Sequence, residues 1–409
     1  METAASRHAP GSIGAALTHR SFRWVFVGGF SSNIGTWMQN FTLGALAFAL
    51  TGQSWFIGVV IFAQLGPTLL MSPVGGVLAD TYDRKRLMIG AAFIQMTFSL
   101  GLAVLVLSGH PNRWAIVGLV AVIGVAGAVN APAANATLPA LVGRRDIAGA
   151  ISLNSAQMNL SRVIGPLIAG LAIGVDHAGV IFAINAATYL FVIAAIAIVP
   201  FDSKPTGAGS EPPMERLRQG LIAANEDRVI RKVLITVSVF SFCSLIFIYQ
   251  LAPFAVENLG GDGQTFTIVF SSFGLGAALG AIAVGTLLVR VPHATLTRLG
   301  LVGFAISLGA LAVQHSVGPA VGTAFFTGIF YFTIITSLST TLQEQVRDDM
   351  RGRVMGLWMM GWAGLVPLGS LIGGPIIDIV GLTTVFVFGA VVALVLAWYS
   401  GRPTPAGHH

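Results

Sequence analysis

The charged side chains in or beside the long apolar runs of this chain are the residues best placed to do chemistry. Arg162 lies well inside one run, and a guanidinium there can form paired hydrogen bonds to the oxygens of an anion. Asp80, Glu257 and Asp378 lie near the ends of other runs, where a carboxylate can carry a proton or bind unpaired N–H groups at a helix start. Because charges are costly in an apolar setting, these four residues are candidates for functional roles.

Neutral polar and aromatic side chains inside the same runs form a second set of candidates. Scattered amides and aromatic faces suit a cavity for a large molecule, whereas amides in apolar helices also hold neighbouring helices together. Both alternatives stay open for each residue. Together with Arg162, the predicted cavity set is Asn33, Trp37, Asn40, Asn130, Gln157, Tyr249, Gln250 and Tyr331.

Two interpretations of Arg162 follow from its position. In the structural one, its guanidinium bridges carbonyls or amides, such as those of Asn33 and Gln157, and holds two helices together. In the functional one, it binds substrate oxygens, which favours an acidic substrate over a cationic drug. A lone cation at this depth costs at least about 2.5–3.5 kcal/mol, so both interpretations turn Arg162 away from lipid.

The sequence lacks the motifs of several enzyme and cofactor classes. It contains no HExxH pattern, no pair of cysteines and no GxxxxGK[ST] phosphate loop. Gly274, Gly276 and Gly280 are interpreted as helix-packing glycines, because no soluble strand precedes them. The single Cys243 cannot form an intramolecular disulfide. We therefore predict no enzymatic activity, no cofactor and no metal site.

Composition places the candidate residues in membrane helices. Hydrophobic residues make up 55% and charged residues 9% of the 409 residues, whereas a soluble domain carries about 25% charged residues. The net charge of +6 is interpreted as a sign of membrane orientation rather than of nucleic-acid binding. The prediction is an all-α integral membrane protein with twelve spans, at residues 22–50, 54–79, 87–108, 114–138, 148–175, 179–199, 233–256, 265–289, 299–314, 318–342, 353–379 and 383–400.

The Lys and Arg residues determine the predicted orientation. An even number of spans puts both termini on one side of the membrane. If that side is cytoplasmic, Arg113 is the one cation of the 22 in an outer loop and Arg162 is the one inside a span, which leaves twenty in cytoplasmic segments. We predict a multi-pass protein of the inner (cytoplasmic) membrane with both termini in the cytoplasm.

A hydrophilic stretch and an internal repeat divide the chain into two six-helix halves. The stretch combines a Pro/Gly/Ser-rich linker, KPTGAGSEPP, with a predicted amphipathic helix at 214–232 along the membrane surface. IGPLIAG at 164–170 and LGSLIGG at 368–374 match at an offset of 204 residues. The predicted parts are a polar, flexible cytoplasmic tail (1–21), an N-terminal bundle (22–199), the linker (200–232), a C-terminal bundle (233–400) and a C-terminal tail (401–409).

The turn at 76–87, GVLADTYDRKRL, joins the second and third predicted spans. Its glycine, its acid four residues later and its cation cluster resemble the loop signature of the major facilitator superfamily, except that Asp83 stands where that signature has a second glycine. The resemblance implies that the Asp80 carboxylate faces the start of the eleventh span and closes a cytoplasmic gate. The implied gating residues are Gly76, Asp80, Arg84, Arg86 and Gly352.

Four longer stretches resemble one branch of that superfamily, which includes the enterobactin exporter and the macrolide efflux proteins. They are FRWVFVGGFSSNIGTWMQ (22–39), LTGQSWFIGVVIFAQLGPTLLMSPVGGVLAD (50–80), NLSRVIGPLIAG (159–170) and RGRVMGLWMMGWAGLVPLGSLIGG (351–374). The resemblance implies a secondary transporter of two pseudo-symmetric six-helix bundles that exports an amphipathic small molecule by alternating access. The family default is a monomer. An importer or facilitator of the same fold, for a small metabolite or a lipid-like substrate, is the alternative.

Two further features concern direction and energy coupling. Gly165, Pro166 and Gly170 resemble the antiporter signature of the superfamily, and simple helix packing is the alternative interpretation. Many proton antiporters of the superfamily carry an arginine in the fourth helix and an acid in the first, and this sequence has neither. With protons as the expected coupling ion, the remaining candidates for a proton site are Asp378 and Glu257.

Overall fold

The computed structural model describes residues 9–201, 213–347 and 350–401, and every regular element within these ranges is a helix. Most of the predicted linker segment KPTGAGSEPP, the first eight residues and the last eight lie outside them. In the N-terminal half the α-helices are α1 Ile13–Thr18, α2 Arg20–Thr51, α3 Ser54–Thr81, α4 Arg84–Leu107, α5 Arg113–Leu167 and α6 Ala178–Ile198. In the C-terminal half they are α7 Pro213–Glu226, α8 Arg228–Val239, α9 Leu251–Pro253, α10 Gly263–Thr286, α11 His293–Ala312, α12 Val317–Gln345, α13 Arg351–Met359, α14 Leu365–Val380 and α15 Leu382–Gly401.

The helices have the length and composition of membrane spans. Within the described ranges nine helical stretches are long and apolar enough to cross a bilayer, and the bent pair in α3 makes a tenth. One of the nine, Arg113–Leu171, has 59 residues, which is more than twice the roughly 20 residues that one crossing needs. Gly143 breaks it with a φ of 74°. The first predicted span corresponds to the 32-residue α2, which is not among these nine stretches. These observations are consistent with the twelve predicted spans.

Residue contacts divide the chain into two compact units. The first comprises Met1–Leu46 and Ala63–Ser210, and the second comprises Ala47–Phe62 and Glu211–His409. The boundary at Ser210 therefore falls inside the predicted linker. The start of α3 belongs to the second unit, because it packs against α14.

In the first unit, the cations of the turn after α3 bind backbone carbonyl oxygens of three helices. Arg84 is buried and donates hydrogen bonds to the carbonyl oxygens of Ala79 and Ala136, each at 3.1 Å. Lys85 donates to the last carbonyls of α6, including that of Val199 at 3.0 Å. The last carbonyls of a helix lack partners within it, and cations satisfy them while matching the helix dipole. The cation cluster therefore holds α3, α5 and α6 together at one membrane face.

Asp83, the departure from the family signature, has a local role. Its side chain accepts a hydrogen bond from the backbone N–H of Arg86 at 2.9 Å and caps the start of α4. A carboxylate is favoured at a helix start because it satisfies an unpaired N–H and matches the dipole. Asp83 thus fixes the start of α4, which a glycine at this position could not do because it has no side chain.

The prediction of a flexible tail over 1–21 is wrong for residues 9–21. Ser12 caps α1 by accepting a hydrogen bond from Ala15 N–H at 3.2 Å. Asp146, in the turn after Gly143, accepts a hydrogen bond from Gly11 N–H at 3.0 Å and lies 3.0 Å from the His19 ring. These contacts dock α1 onto α5, and sequence reasoning missed them because they join residues more than 120 positions apart.

The linker helix of the second unit is shorter than predicted. The expected amphipathic helix over 214–232 ends at Glu226, because Asp227 accepts hydrogen bonds from the N–H groups of Val229 and Ile230 and caps α8. The preceding helix α7 packs closely against α13: a Cβ at Gly220 would lie 3.2 Å from the carbonyl oxygen of Arg353. The cations at 228–232 therefore belong to the start of a spanning helix.

Small residues set the closest helix crossing of the second unit, between α10 and α12. A Cβ at Gly276 would overlap the carbonyl oxygen of Phe325, and a Cβ at Gly280 would overlap that of Ile329. The position of Gly274, in contrast, has no atom within 4 Å of where its Cβ would lie. Glycines four residues apart on one helix face let two backbones approach closely. The packing interpretation holds for Gly276 and Gly280 and not for Gly274.

Candidate functional site

Arg162 and Trp37 form a stacked pair in the first unit. The guanidinium carbon of Arg162 lies 5.0 Å from the centre of the Trp37 ring, which is the geometry of a cation–π contact. The structure therefore joins two residues of the predicted cavity set. The sequence did not predict Trp37 as the neighbour of Arg162, because the two residues lie on different helices.

Close packing of α5 against α2 positions this pair. A Cβ at Gly165 would lie 2.9 Å from both the carbonyl oxygen of Ile34 and the N atom of Met38. With no side chain at Gly165, the two backbones come close enough for Arg162, one turn earlier on α5, to reach the Trp37 ring. Gly165 of the Gly165, Pro166 and Gly170 motif thus contributes helix packing, and Gly170 lies in the π-helical segment Ile168–Ile173.

The amides of the first unit divide into paired groups and buried free acceptors. Asn40 accepts a hydrogen bond from Gln64, and Gln157 donates one to Asn154 at 2.8 Å. The predicted bridge from Arg162 to Gln157 would use Gln157 Oε1, which has no donor among the described residues, so that hydrogen bond is not formed. Asn130 Oδ1 and Gln157 Oε1 are buried acceptors that lack a donor among the described residues. Buried acceptors are costly unless a donor satisfies them, so both suit a ligand or a water molecule.

Other polar groups of the first unit serve packing. Asn185 is fully buried and donates a hydrogen bond to Gln39 Oε1 at 2.9 Å, which joins α6 to α2. The Tyr189 hydroxyl lies 3.2 Å from that of Thr36. Amides and hydroxyls paired across apolar helices act as interhelical contacts. The polar residues of α2 therefore contribute both packing contacts and candidate ligand groups.

In the second unit, Tyr331 is the centre of an aromatic cluster. Its ring stacks against Phe240 and Phe273, with ring centres 6.5 and 5.8 Å away. Its hydroxyl accepts a hydrogen bond from Trp362 Nε1 at 3.4 Å. Trp362 lies in the π-helical turn Met360–Gly364, and such turns occur frequently at functional sites. Sequence reasoning missed Trp362, although a tryptophan inside a glycine-rich apolar span was a usable signal.

Tyr249 and Gln250 lie where the long span beginning with α8 leaves regular α-helical geometry. The segment Leu245–Gln250 is a 3₁₀ helix. Gln250 is fully buried and donates a hydrogen bond to the carbonyl oxygen of Ser54 at 3.4 Å, and its own Oε1 has no donor among the described residues. Tyr249 is half-buried. Gln250 therefore takes part in packing while keeping a free acceptor.

The two carboxylates predicted as proton sites have different surroundings. Asp378, in α14, accepts hydrogen bonds from the backbone N–H groups of Ser54 and Trp55 at 2.8 and 2.9 Å. Glu257 lies in the π-helical segment Phe254–Asn258 and is exposed. The proton-site assignment stays a prediction for both residues. The contact of Asp378 with a helix start is a feature that sequence reasoning missed.

The predicted gating residues occupy different environments. Asp80 is half-buried near the end of α3, Arg84 is buried among helix carbonyls, and Arg86 is exposed. A Cβ at either Gly76 or Gly352 would meet no atom within 4 Å. Asp80 belongs to the first unit and Gly352 to the second. Their expected pairing therefore stays a prediction.

Over the described ranges, no group of three or more His, Cys, Asp or Glu side chains is arranged to hold a metal ion. The candidate ligand groups are instead an arginine over a tryptophan ring and buried amide oxygens in the first unit, and aromatic faces with one buried amide oxygen in the second. Such groups can bind an organic molecule with acidic oxygens and hydrogen-bond donors.

Known proteins are similar to this chain over most of its length. The Staphyloferrin A transporter of Staphylococcus aureus is 26% identical over 374 residues, which cover 89% of this chain and 91% of that protein. The Enterobactin exporter EntS of Escherichia coli is 27% identical over 346 residues, which cover 83% of this chain and 81% of that protein.

Similarity to solved structures supports the fold. The crystal structure of the nucleoside transporter NupG superposes with a TM-score of 0.75 at 15% sequence identity and covers 93% of this chain and 98% of that one. At this identity the likeness concerns the fold alone. The family model for transmembrane secretion effectors matches residues 11–402. The chain is therefore a multi-pass membrane transporter, and not an enzyme, that belongs to the transmembrane secretion effector family of the major facilitator superfamily.

Proposed function

We propose that this protein exports an amphipathic small molecule with acidic oxygens, of the siderophore class, by proton-coupled alternating access. The observation that carries the proposal is the stacked pair of Arg162 and Trp37. The two relatives described above, which are named for staphyloferrin A and for enterobactin, support the siderophore class. Macrolides and other amphipathic drugs are the alternative substrates.

The geometry of the pair explains why an oxyanion is the favoured ligand. Contact with the Trp37 ring holds the guanidinium beside an aromatic face. A guanidinium carries a planar fork of N–H donors, which matches two oxygens of a carboxylate or catecholate. A cationic drug would instead be repelled at this position. The pair therefore selects for charge as well as for shape.

Buried acceptors in several spans add hydrogen-bonding capacity in each unit. Asn130 Oδ1 and Gln157 Oε1 in the first unit, and Gln250 Oε1 in the second, are each buried and lack a described donor. A substrate that carries hydroxyl or amide N–H groups would satisfy such acceptors. In the second unit, the aromatic cluster at Tyr331 offers ring faces to apolar groups of a ligand. The proposed ligand-contacting residues also include Asn33, Trp37 and Asn40 in the first unit and Tyr249 in the second.

The proposal includes the membrane arrangement and the energy source. A location in the inner membrane with both termini in the cytoplasm agrees with the distribution of Lys and Arg. We propose Glu257 as a proton-coupling residue, and Gly76, Asp80, Arg84, Arg86 and Gly352 as the cytoplasmic gating set. The working form is proposed to be a monomer.

Transport into membrane vesicles of defined orientation tests the direction. We expect inside-out vesicles from cells producing the protein to accumulate labelled staphyloferrin A or enterobactin when respiration is energised, and to lose the gradient when a protonophore is added. Vesicles from cells without the protein provide the control. Uptake that occurs in right-side-out vesicles alone would identify an importer. If the vesicles accumulate a macrolide but neither siderophore, the protein is a drug exporter rather than a siderophore exporter.

A further inference from the structure

The carboxyl end of α14 binds the amino terminus of α3. The two carboxylate oxygens of Asp378 accept hydrogen bonds from Ser54 N–H at 2.8 Å and Trp55 N–H at 2.9 Å. The first N–H groups of a helix have no partner within the helix, and an anion there also interacts favourably with the helix dipole. Asp378 thus supplies from another helix the cap that a helix usually receives from the residue just before it.

The surrounding residues are shaped to bring these two helix ends together. A Cβ at Gly374, one turn before Asp378, would lie 2.7 Å from the carbonyl oxygen of Ser54. One turn into α3, a Cβ at Gly58 would overlap the carbonyl oxygen of Ser370. Glycine on each helix therefore allows backbone contact at two successive turns. The two helices are therefore closely packed, and the two hydrogen bonds to the Asp378 carboxylate lie at the exposed edge of this contact.

Burial and sequence distance separate this contact from an ordinary helix cap. Ser54 is 2% exposed, although it is the first residue of its helix, whereas Asp378 is exposed. Asp262 caps α10 from the adjacent position, but Asp378 and Ser54 lie 324 residues apart. A local cap stabilises one helix, while Asp378 fixes one helix to another.

We propose that Asp378 is a positioning residue for transport, and that its contact with Ser54 and Trp55 is a latch at the membrane face opposite the amino terminus. The latch holds the start of α3 against α14 in the state described here, and it opens when the pathway opens at that face. Two hydrogen bonds at an exposed rim can break and re-form in every cycle. This gives Asp378 a mechanical role in place of the predicted proton-site role.

Thiol labelling of a buried reporter at the helix start tests the latch. The reporter is Ser54→Cys in a Cys243→Ser background, which removes the single native cysteine, and the protein is held in lipid nanodiscs that expose both faces. We expect Asp378→Ala to raise the rate of labelling by a hydrophilic maleimide about tenfold, equivalent to about 1.4 kcal/mol. Asp378→Asn, which keeps the shape and one acceptor oxygen, should give a smaller rise.

Two matched controls separate release of the latch from general loosening. Asp262→Ala removes a carboxylate cap of the same kind from α10 and should leave labelling at Ser54→Cys unchanged. A second reporter, Ser99→Cys at a fully buried position of α4, should label at the same rate with and without Asp378. Equal acceleration at both reporters, or no acceleration at Ser54→Cys, would overturn the proposal. The assay contains no substrate, so its outcome is independent of the proposed function.

Discussion

Arg162→Ala is expected to raise the apparent transport constant for an acidic siderophore by about 10- to 100-fold, because charge-assisted hydrogen bonds contribute about 1.5–3 kcal/mol. Arg162→Lys retains the charge but loses the planar pair of donors and the stacking on Trp37. We expect it to cause a smaller rise of about three- to tenfold. Initial rates of transport in proteoliposomes over a range of substrate concentrations measure both effects.

The matched control for this experiment lies in the part of α5 before the break at Gly143. The guanidinium of Arg113 also sits over a tryptophan, with 5.7 Å between its central carbon and the Trp114 ring, but Arg113 is exposed. Arg113→Ala should therefore leave the transport constant unchanged. The substrate role of Arg162 is rejected if a stably folded Arg162→Ala protein binds the acidic siderophore as well as wild type does. A similar loss of folded protein for the Ala and Lys variants would support the alternative, purely structural interpretation.

Gly276→Ala is expected to cause the largest loss of stability of any change proposed for this chain. A Cβ at this position would overlap the carbonyl oxygen of Phe325, so the backbones of α10 and α12 would have to separate. Overpacking of this kind costs about 1–3 kcal/mol or more. Thermal unfolding of the purified protein in detergent should show a clear fall in melting temperature and in folded yield.

Gly274→Ala is the corresponding control, two residues earlier on the same helix. No atom lies within 4 Å of the Cβ that it adds, and alanine has a higher helix propensity than glycine. Its melting temperature should equal or slightly exceed that of wild type. Equal destabilisation by the two substitutions would show that helix propensity or lipid contact, rather than the crossing with α12, determines the effect.

The fold was predictable from the sequence because apolar runs and charged turns are local signals. The turn at 76–87 was recognisable from its charged residues alone. In the structure its cations bind helix carbonyls, and Asp83 caps the helix that follows it. The spacing of the glycines in FGLGAALG was also informative, since Gly276 and Gly280 share a helix face while Gly274 does not. Such patterns depend on residues within about one helical turn of each other.

The candidate site was predictable as a set of residues but not as pairs. Arg162 and Trp37 were both expected in the cavity. However, the sequence of the helix that carries Arg162 does not show that Arg162 contacts Trp37 on another helix. For the same reason, the sequence did not predict the hydrogen bond from Trp362 to Tyr331 or the contact of Asp378 with the start of α3. These pairs depend on how helices pack, and a single sequence does not encode that packing as a local pattern.

The most direct test of the proposed export of an acidic molecule through the Arg162 site is the charge selectivity of transport. Initial rates would be compared for an acidic siderophore with carboxylates and for a derivative in which these are converted to neutral amides, using wild type and Arg162→Gln in proteoliposomes with an imposed proton gradient. We predict that wild type prefers the acid by about tenfold or more, and that Arg162→Gln largely abolishes this preference. An unchanged preference in a folded Arg162→Gln protein would contradict the account.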